Sequence, residues 1–359
     1  MPTLRVNYPG GSYPVHIGQG LRARVGALLA ERPYTRVAFI VTDDHVAPLY
    51  GDDVAASLEA AGFTPRLVVL PAGEEHKNLD TVRHLYETFV RGGIDRRTPV
   101  LALGGGVVGD TAGFAAATIL RGVPFVQMPT TLLAMVDASV GGKTGVDLPQ
   151  GKNLVGAFKF PDMVVADLET LRSLPPVEVA CGMAEVIKHG LIGDPGLLDM
   201  VEEWARDPQG LVARAVQVKI DVVEEDPLEQ GRRAVLNLGH TFAHALERVS
   251  GYRLRHGFAV ALGLVAAAHL SALLEEADPA LVHVVERVVR AASLPVRWSD
   301  VGGIGPIPRV DDVIAAMQTD KKRQHQQLRF VLVRKPGDVF VRGDVPEDHV
   351  RQALVKVLA

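Results

Sequence analysis

The apolar positions of the first 120 residues follow two alternating patterns. Short runs of consecutive apolar residues are typical of strands buried on both faces, and the segments between them carry apolar residues at helical spacing. The alternation predicts a parallel sheet with helices on both faces. The predicted strands are 36–42, 65–70 and 99–103, and the predicted helices are 54–61, 79–90 and 111–120.

Helical spacing dominates the rest of the chain from about residue 175. The predicted helices are 176–192, 197–205, 209–224, 236–249, 257–275 and 279–292, followed by a strand at 328–333 and a terminal helix. The change of pattern predicts an α/β domain over 1–172 and a mainly helical domain over 173–359. Because ligand sites favour clefts between domains, we expect the active site in such a cleft.

Composition narrows the class of protein. Apolar residues make up 47% of the 359 residues and charged residues 22%, as in an ordinary soluble protein, and the net charge of −4 argues against a nucleic-acid partner. The single cysteine, Cys181, excludes an internal disulfide and is typical of a reducing cytoplasm. We expect no signal peptide and no membrane span, since the apolar run around 259–268 is shorter than the roughly 20 residues that a bilayer requires.

A glycine loop follows the strand at 99–103. Gly104, Gly106 and Gly109 match G-x-G-x-x-G, a pattern in which the backbone approaches a pyrophosphate at a helix N-terminus. The acidic ribose partner usually found about 20 residues later is missing. The nearest carboxylates after a predicted strand are Asp43 and Asp44, which belong to an earlier β-α unit. The loop therefore indicates either an unusual nucleotide site or a tight turn for helix–sheet packing.

A second glycine segment, 141–145, contains Lys143 and resembles a phosphate loop. It lacks the upstream glycine of G-x-x-x-x-G-K-[ST], which argues against a P-loop NTPase. Lys143, Lys152 and Asn153 are donors suited to an anionic substrate.

Three histidines and a glutamate suggest a metal site. His240 and His244 are four residues apart on a predicted helix, so they share one face, and His256 follows a short turn. Glu185 offers a carboxylate on another helix. A catalytic zinc usually takes three protein ligands, so four candidates leave one histidine for proton transfer. The alternative is a set of surface or core histidines; the residue after His240 is not glutamate, which argues against a zinc protease.

Together these segments resemble the 3-dehydroquinate synthase family of sugar-phosphate cyclases over nearly the whole chain. The matching segments are GEEHK at 73–77, GGGVVGD at 104–110, the stretch 121–145, GKNLVGAF at 151–158, GMAEVIKHG at 182–190, RRAVLNLGHTFAHALE at 232–247, RHG at 255–257 and DKK at 320–322. The resemblance implies a Rossmann-like NAD-binding domain, a helical domain that carries a metal, and a homodimer.

The resemblance also implies roles for individual residues. The metal, zinc or cobalt, would be bound by Glu185, His240 and His256, and catalysis would involve His244, Lys188, Asn237 and Asp137. The substrate would contact Arg121 (across the dimer interface), Lys143, Asn153, Lys219, Arg233, Lys321 and Lys322. NAD would contact Asp43, Asp44, Glu74, Lys77, Gly105, Gly106, Val107, Asp110, Thr130, Thr131, Lys143, Lys152, Thr170, Leu171, Arg172 and Ser173.

The implied reaction, a step of the shikimate pathway, converts 3-deoxy-D-arabino-heptulosonate 7-phosphate to 3-dehydroquinate and phosphate. It proceeds by transient oxidation with NAD, elimination, reduction and aldol closure. Three alternatives are a cyclase for another sugar phosphate (amino-dehydroquinate or 2-deoxy-scyllo-inosose type), a metal-dependent polyol or glycerol-phosphate dehydrogenase, and a catalytically silent binding protein.

Three residues depart from the family pattern. Ala243 replaces a glycine, Gln326 replaces a glycine in the basic loop, and Phe258 replaces a glutamate two residues after His256. Phe258 removes a charge close to a metal ligand in sequence, so we expect it to alter the surroundings of the metal.

Overall fold

The structure is a computed structural model that describes residues 3–324 and 328–359. The chain divides into two compact units, Met1–Pro175 and Pro176–Ala359. The boundary predicted from the sequence, near residue 172, lies in the last few residues of the first unit.

A seven-stranded sheet forms the centre of the first unit. The strands of this unit are β1 (Thr3–Tyr8), β2 (Gly11–Gly18), β3 (Val37–Asp43), β4 (Thr64–Leu70), β5 (Val100–Gly104), β6 (Phe125–Pro129), β7 (Lys143–Leu148), β8 (Gly151–Phe158) and β9 (Met163–Asp167). The sheet order is β1-β2-β9-β6-β5-β3-β4, parallel except for β1 against β2, while β7 and β8 form a separate hairpin. The predicted α/β class with a parallel sheet is confirmed.

Helices cover both faces of this sheet. They are α1 (Val25–Ala30), α2 (Asp52–Ala60), α3 (Leu79–Arg91) and α4 (Gly106–Thr118). Alternate residues of β3 point to opposite faces, and both sets are buried: Phe39 belongs to one hydrophobic cluster and Ile40 to the other. This two-sided burial explains why the strand is a continuous apolar run.

The strand order reverses direction between β3 and β5. From β3 the chain adds β4 on one side and then β5 on the other, so the carboxyl ends of β3 and β5 lie side by side, with Thr42 opposite Leu103. Open α/β sheets bind ligands at such a switch point. The fold therefore places Asp43 and Asp44 beside the glycine loop, although the two segments belong to different β-α units.

The second unit is mainly helical. Its helices are α5 (Pro176–Ile192), α6 (Gly196–Met200), α7 (Pro208–Glu225), α8 (His240–Val249), α9 (His256–Leu273), α10 (Ala280–Ala291), α11 (Val310–Gln324) and α12 (Glu347–Leu358), and its hairpin is β10 (Phe330–Lys335) with β11 (Asp338–Arg342). The helix predicted over 236–249 begins only at His240. Gly239 adopts a left-handed conformation (φ 78°), and a 3-10 helix, Arg232–Asn237, precedes it.

Within residues 3–324 and 328–359, one helix, α9, is long and apolar enough to cross a membrane by length and composition alone. The sequence prediction considered only 259–268, whereas the apolar character extends over the whole of α9. The helix is 72% buried within the fold, and a buried core helix passes the same test, so α9 by itself does not indicate a membrane span.

Candidate metal and nucleotide sites

Three predicted metal ligands come together in the second unit. Glu185 lies in the middle of α5, whereas His240 and His256 are the first residues of α8 and α9. The Oε1 atom of Glu185, which is fully buried, lies 3.7 Å from Nε2 of His240 and 3.4 Å from Nε2 of His256. All three ligand atoms lie within 4.8 Å of one another.

Two glycine contacts bring the helices that carry these ligands close together. A Cβ atom at Gly257 would lie 2.7 Å from Cβ of Cys181, and one at Gly239 would lie 2.9 Å from the backbone nitrogen of Leu264. Cys181 is one turn before Glu185 on α5, and Gly257 follows His256 on α9. The first contact therefore sets the separation of these two ligands. Burial raises the pKa of Cys181 to about 11, so this cysteine acts as a packing residue.

Both histidine rings present Nε2 to Glu185. Nδ1 of His240 lies 3.1 Å from the carbonyl oxygen of Leu238, and Nδ1 of His256 lies 3.3 Å from Oε1 of Glu247. Burial and the charge of Lys188 lower the pKa of His240 to about 3, which keeps its imidazole neutral. Burial alone would lower the pKa of His256, but hydrogen bonds to the Glu185 and Glu247 carboxylates outweigh it and raise this pKa to about 10.

The donor set fits a divalent cation. Zinc bonds of 2.0–2.2 Å to nitrogen and oxygen place neighbouring ligand atoms of a tetrahedral site roughly 3.3–3.5 Å apart. The two separations of 3.4 and 3.7 Å are close to that value. Two imidazoles and one carboxylate leave a fourth position for water or substrate, as in catalytic zinc sites.

Cationic side chains are buried in the same unit. Lys188 lies one turn after Glu185 on α5 and forms an ion pair with the Oε2 atom of Glu185. Lys188 and Arg233 are 1% exposed and Lys219 is 6% exposed. They lie on α5, on the 3-10 helix before α8 and on α7, elements that contact one another. The second unit thus buries three positive charges on neighbouring elements.

The glycine loop in the first unit opens onto the N-terminus of α4. Among the described residues, no side chain caps this terminus and no acidic residue lies in its first turn. A Cβ atom at Gly106 would meet only Cβ of Ala138, at 3.6 Å. Because the first backbone N–H groups of a helix have no partner within the helix, the terminus attracts anions.

The glycines of this loop have different functions. A Cβ atom at Gly104 would lie 2.7 Å from Cβ of Val108, and one at Gly109 would lie 2.8 Å from Oε1 of Gln127. These two glycines allow close packing of the helix on the sheet, whereas Gly106 has room around it. The packing interpretation therefore applies to Gly104 and Gly109, while the nucleotide interpretation stays a prediction for Gly105 and Gly106.

Lys77 is the centre of a polar network beside this loop. It is 4% exposed, and its Nζ donates to Oδ2 of Asp110 (2.6 Å) and to Oδ1 of Asn153 (2.7 Å). Nζ of Lys152 lies 3.6 Å from Oε1 of Glu74. Burial would lower the pKa of Lys77, but the Asp110 and Glu74 carboxylates raise it, so Lys77 stays charged. The network joins residues assigned to NAD with Asn153, assigned from the sequence to the substrate.

Comparison with known proteins identifies the family. The N-terminal 3-dehydroquinate synthase model matches residues 67–181, and the C-terminal model matches 182–323. The chain belongs to the 3-dehydroquinate synthase family. It is 49% identical to the 3-dehydroquinate synthase of Symbiobacterium thermophilum over 95% of this chain and 97% of that protein. It is 44% identical to the one from Syntrophotalea carbinolica over 96% of each chain.

A solved structure supports the fold. It is the 2-epi-5-epi-valiolone synthase of Streptomyces hygroscopicus subsp. jinggangensis, determined with NAD+ and Zn2+ bound. Its TM-score against this chain is 0.87, with 29% sequence identity and 98% of both chains covered. The sequence identity of this valiolone synthase to the chain, 29%, is lower than that of the two 3-dehydroquinate synthases, 44% and 49%.

The acidic residues at the switch point shape their own loops. Oδ1 of Asp43 accepts hydrogen bonds from the backbone N–H groups of His45 (3.0 Å) and Val46 (2.9 Å). Oδ1 of Asp44 accepts one from the backbone of Ala72 (3.1 Å). In this chain the two carboxylates therefore hold the segments that follow β3 and β4 in place.

The predicted NAD segment 170–173 has an anchor that the sequence analysis missed. The hydroxyl group of Tyr50 is hydrogen-bonded to Oγ of Ser173 and lies 3.4 Å from the carbonyl oxygen of Thr170. The guanidinium of Arg22 lies 5.3 Å from the centre of the Tyr50 ring. No sequence motif includes Tyr50, because its contacts are with Thr170 and Ser173, about 120 positions later in the chain.

Two other predicted NAD contacts, Thr130 and Thr131, lie against the glycine loop. Thr130 is buried, and its backbone N–H donates to the carbonyl oxygen of Gly104 (3.0 Å). Oγ1 of Thr131 accepts from the backbone of Ala134 (3.1 Å), and a Cβ atom at Gly105 would lie 3.2 Å from Cγ2 of Thr131. Val107 is half-buried in the first turn of α4. Leu171 is buried, whereas Arg172 is exposed.

The remaining predicted residues lie on several different elements. Asp137 lies in a π-helical turn, and Lys143 is exposed at the start of β7. Arg121 is exposed with φ 68°, a left-handed conformation that is uncommon for a residue with a side chain. His244 and Asn237 are exposed on the second unit, with the His244 ring 5.5 Å from that of His240. The side chains of Lys321 and Lys322 and the whole of Gln326 lie outside the described residues.

Phe258 lies in a different environment from the metal ligands. It lines a cavity of about 320 Å³ together with Arg290, Ser293, Leu294, Pro295 and Asp300. Residues two positions apart in an α-helix are separated by about 200° around its axis. Phe258 therefore points away from the side of α9 that carries His256. Ala243 is fully buried in α8, where alanine favours the helix more than glycine.

Proposed function

We propose that this protein is a phosphate-eliminating lyase that converts 3-deoxy-D-arabino-heptulosonate 7-phosphate to 3-dehydroquinate and phosphate. The observation that carries the proposal is the cluster of Glu185, His240 and His256 in a chain 49% identical to a 3-dehydroquinate synthase over 95% of its length. A three-ligand N/O site is suited to polarising a hydroxylated substrate.

The proposed cofactors are NAD and one divalent cation, zinc or cobalt. When bound, NAD supplies a reversible hydride acceptor, and the cation stabilises negative charge on a substrate oxygen. Glu185, His240 and His256 would hold the cation. The N–H groups at Gly105 and Gly106 would hold the NAD pyrophosphate, with Lys77, Asp110 and the other residues of that unit around it.

The substrate is a phosphorylated sugar acid, and buried cations are suited to its two anionic groups. Lys188, Lys219 and Arg233 would bind the substrate and hold it in one orientation relative to the reacting groups. Such positioning lowers the entropic part of the activation barrier. His244, exposed beside His240, would transfer protons, since an imidazole can both accept and donate a proton.

Further assignments rest on the family alone. Asp137 and Asn237 would contribute to catalysis, and Lys143, Asn153 and the Lys321/Lys322 pair would contact the substrate. Arg121 would contact the phosphate of the substrate that is bound to the other subunit of a homodimer. The single, buried cysteine agrees with a cytoplasmic enzyme.

A cyclase for another sugar phosphate is the second candidate, favoured by the fold shared with the valiolone synthase. To separate the two, metal-replete protein is incubated with the heptulosonate phosphate and NAD, and phosphate and the carbocyclic product are quantified. Equal amounts of phosphate and 3-dehydroquinate are expected. No reaction by protein that binds both NAD and zinc would contradict the proposed substrate.

Gly106→Ala tests the nucleotide assignment. The methyl group has room in the protein, so the fold is retained, but it projects at the helix terminus where NAD would lie. We expect the Kd for NAD to rise by about 10- to 100-fold, taking 1–3 kcal/mol for a steric conflict. Calorimetric titration measures it, with Gly302→Ala as the control, since no atom lies within 4 Å of an added Cβ there. An unchanged Kd would place NAD elsewhere.

A further inference from the structure

We propose that Glu247 is a positioning residue for the metal centre: its carboxylate accepts a hydrogen bond from Nδ1–H of His256 and thereby directs Nε2 of that ring to the cation. The inference rests on the proposed function of Glu185, His240 and His256 as metal ligands. It assigns a function to a residue that is not one of the three proposed ligands.

The contact between Glu247 and His256 is direct and buried. Oε1 of Glu247 lies 3.3 Å from Nδ1 of His256, while Nε2 of the same ring faces Glu185 at 3.4 Å. Glu247 is only 2% exposed. A carboxylate is costly to bury without hydrogen bonds, so its position beside the ring is a strong constraint on the ring.

The fold brings Glu247 to this position through two features of α8. Glu247 is seven residues after His240, two helical turns, so both lie on the same face of α8. Its carbonyl oxygen accepts hydrogen bonds from Oγ of Ser250 (2.7 Å) and from the backbone of Tyr252 (2.8 Å). The segment between α8 and α9 is thus folded back onto Glu247, which holds the start of α9 close to it.

The two histidines are oriented by different acceptors. His240 uses the backbone carbonyl of Leu238, which no side-chain substitution removes, whereas His256 uses a carboxylate. A carboxylate acceptor fixes the tautomer and makes the imidazole a stronger ligand. Loss of the Glu247 side chain should therefore weaken metal binding through His256.

Two variants of the full-length protein distinguish the effect of the Glu247 hydrogen-bond acceptor on the His256 ring from the effect of the Glu247 negative charge. Glu247→Met keeps the approximate size of the side chain and removes the acceptor. Glu247→Gln keeps an acceptor oxygen and removes the charge. Zinc affinity is measured by chelator competition at one pH, and we expect Glu247→Met to bind about 10- to 100-fold more weakly, with Glu247→Gln intermediate.

Glu286→Gln is the matched control. Glu286 on α10 is a carboxylate 3.8 Å from Nε2 of His269, away from the three ligands, so its loss should leave zinc affinity unchanged. The absorption spectrum of bound Co2+ is the second measurement. It reports the ligand field directly, and a merely structural effect of Glu247 on folding would not change it.

Each outcome has one meaning. Wild-type protein that binds no zinc would reject the proposed metal site, and with it the basis of the inference. Zinc-binding wild type with equal affinity in Glu247→Met would overturn the function of Glu247 alone. If Glu247→Met does not fold, Glu247→Gln decides: a shifted Co2+ spectrum with weaker binding supports the inference, and an unchanged spectrum with unchanged affinity overturns it.

Discussion

Glu185→Gln is expected to abolish stoichiometric zinc binding and to lower turnover by about 100-fold or more, since a catalytic cation contributes several kcal/mol. Oε1 of Glu185 faces both histidine Nε2 atoms, at 3.4 and 3.7 Å. A neutral amide is a poor ligand in its place, and it also removes the negative charge paired with Lys188. Zinc content after dialysis and the rate of phosphate release measure the two effects.

Glu178→Gln is the control for this substitution. Glu178 lies on the same helix and pairs with Arg255, but both side chains are exposed, and exposed ion pairs contribute only about 0–1 kcal/mol. We expect normal zinc content and turnover. Glu185→Gln protein with wild-type zinc and wild-type turnover would show that the metal site is wrongly assigned.

Gly257→Ala is expected to destabilise the protein by about 1–3 kcal/mol and to weaken zinc binding, because overpacking forces backbone shifts. The added Cβ would lie 2.5 Å from the carbonyl oxygen of Cys181 and 2.7 Å from its Cβ. Since the backbone of α5 cannot move aside as a flexible side chain would, α9 must shift and carry His256 away from Glu185. Urea denaturation and chelator competition measure stability and affinity.

Gly302→Ala again serves as the control, since an added Cβ meets no atom within 4 Å and surface substitutions usually change stability by less than about 0.5 kcal/mol. Both variants add one methyl group, Gly257→Ala at a tightly packed position and Gly302→Ala at an open one. If Gly257→Ala were as stable as the control and bound zinc normally, the contact between α5 and α9 would not set the ligand separation.

The fold could be predicted where burial leaves a pattern in the sequence. β3 and β5 were found because strands buried on both faces are continuous apolar runs. β4 was found because its sequence is also a continuous apolar run, although Leu67 and Val69 of this edge strand are exposed. β1 was missed because most of its residues are not buried, and α11 was not predicted. The start of α8 was placed four residues too early, because apolar spacing does not register the left-handed backbone of Gly239.

The candidate site could be predicted only in part. Spacing placed His240 and His244 on one helical face, and His256 and Glu185 were added as further candidate ligands, but the choice among the histidines came from the family resemblance. Glu247 was missed, because a carboxylate in an amphipathic helix usually faces solvent and only tertiary packing buries it. The motif likewise could not separate the packing glycines from Gly106, since the difference is the distance to neighbouring atoms.

The most direct test of the proposed reaction is its stoichiometry in NAD. Zinc-loaded protein receives the heptulosonate phosphate in large excess over NAD, and phosphate release and NADH absorbance are followed together. We expect many equivalents of phosphate per NAD with no accumulation of NADH, because the hydride returns to the same substrate. NADH rising in proportion to the substrate consumed would contradict the account and indicate a dehydrogenase.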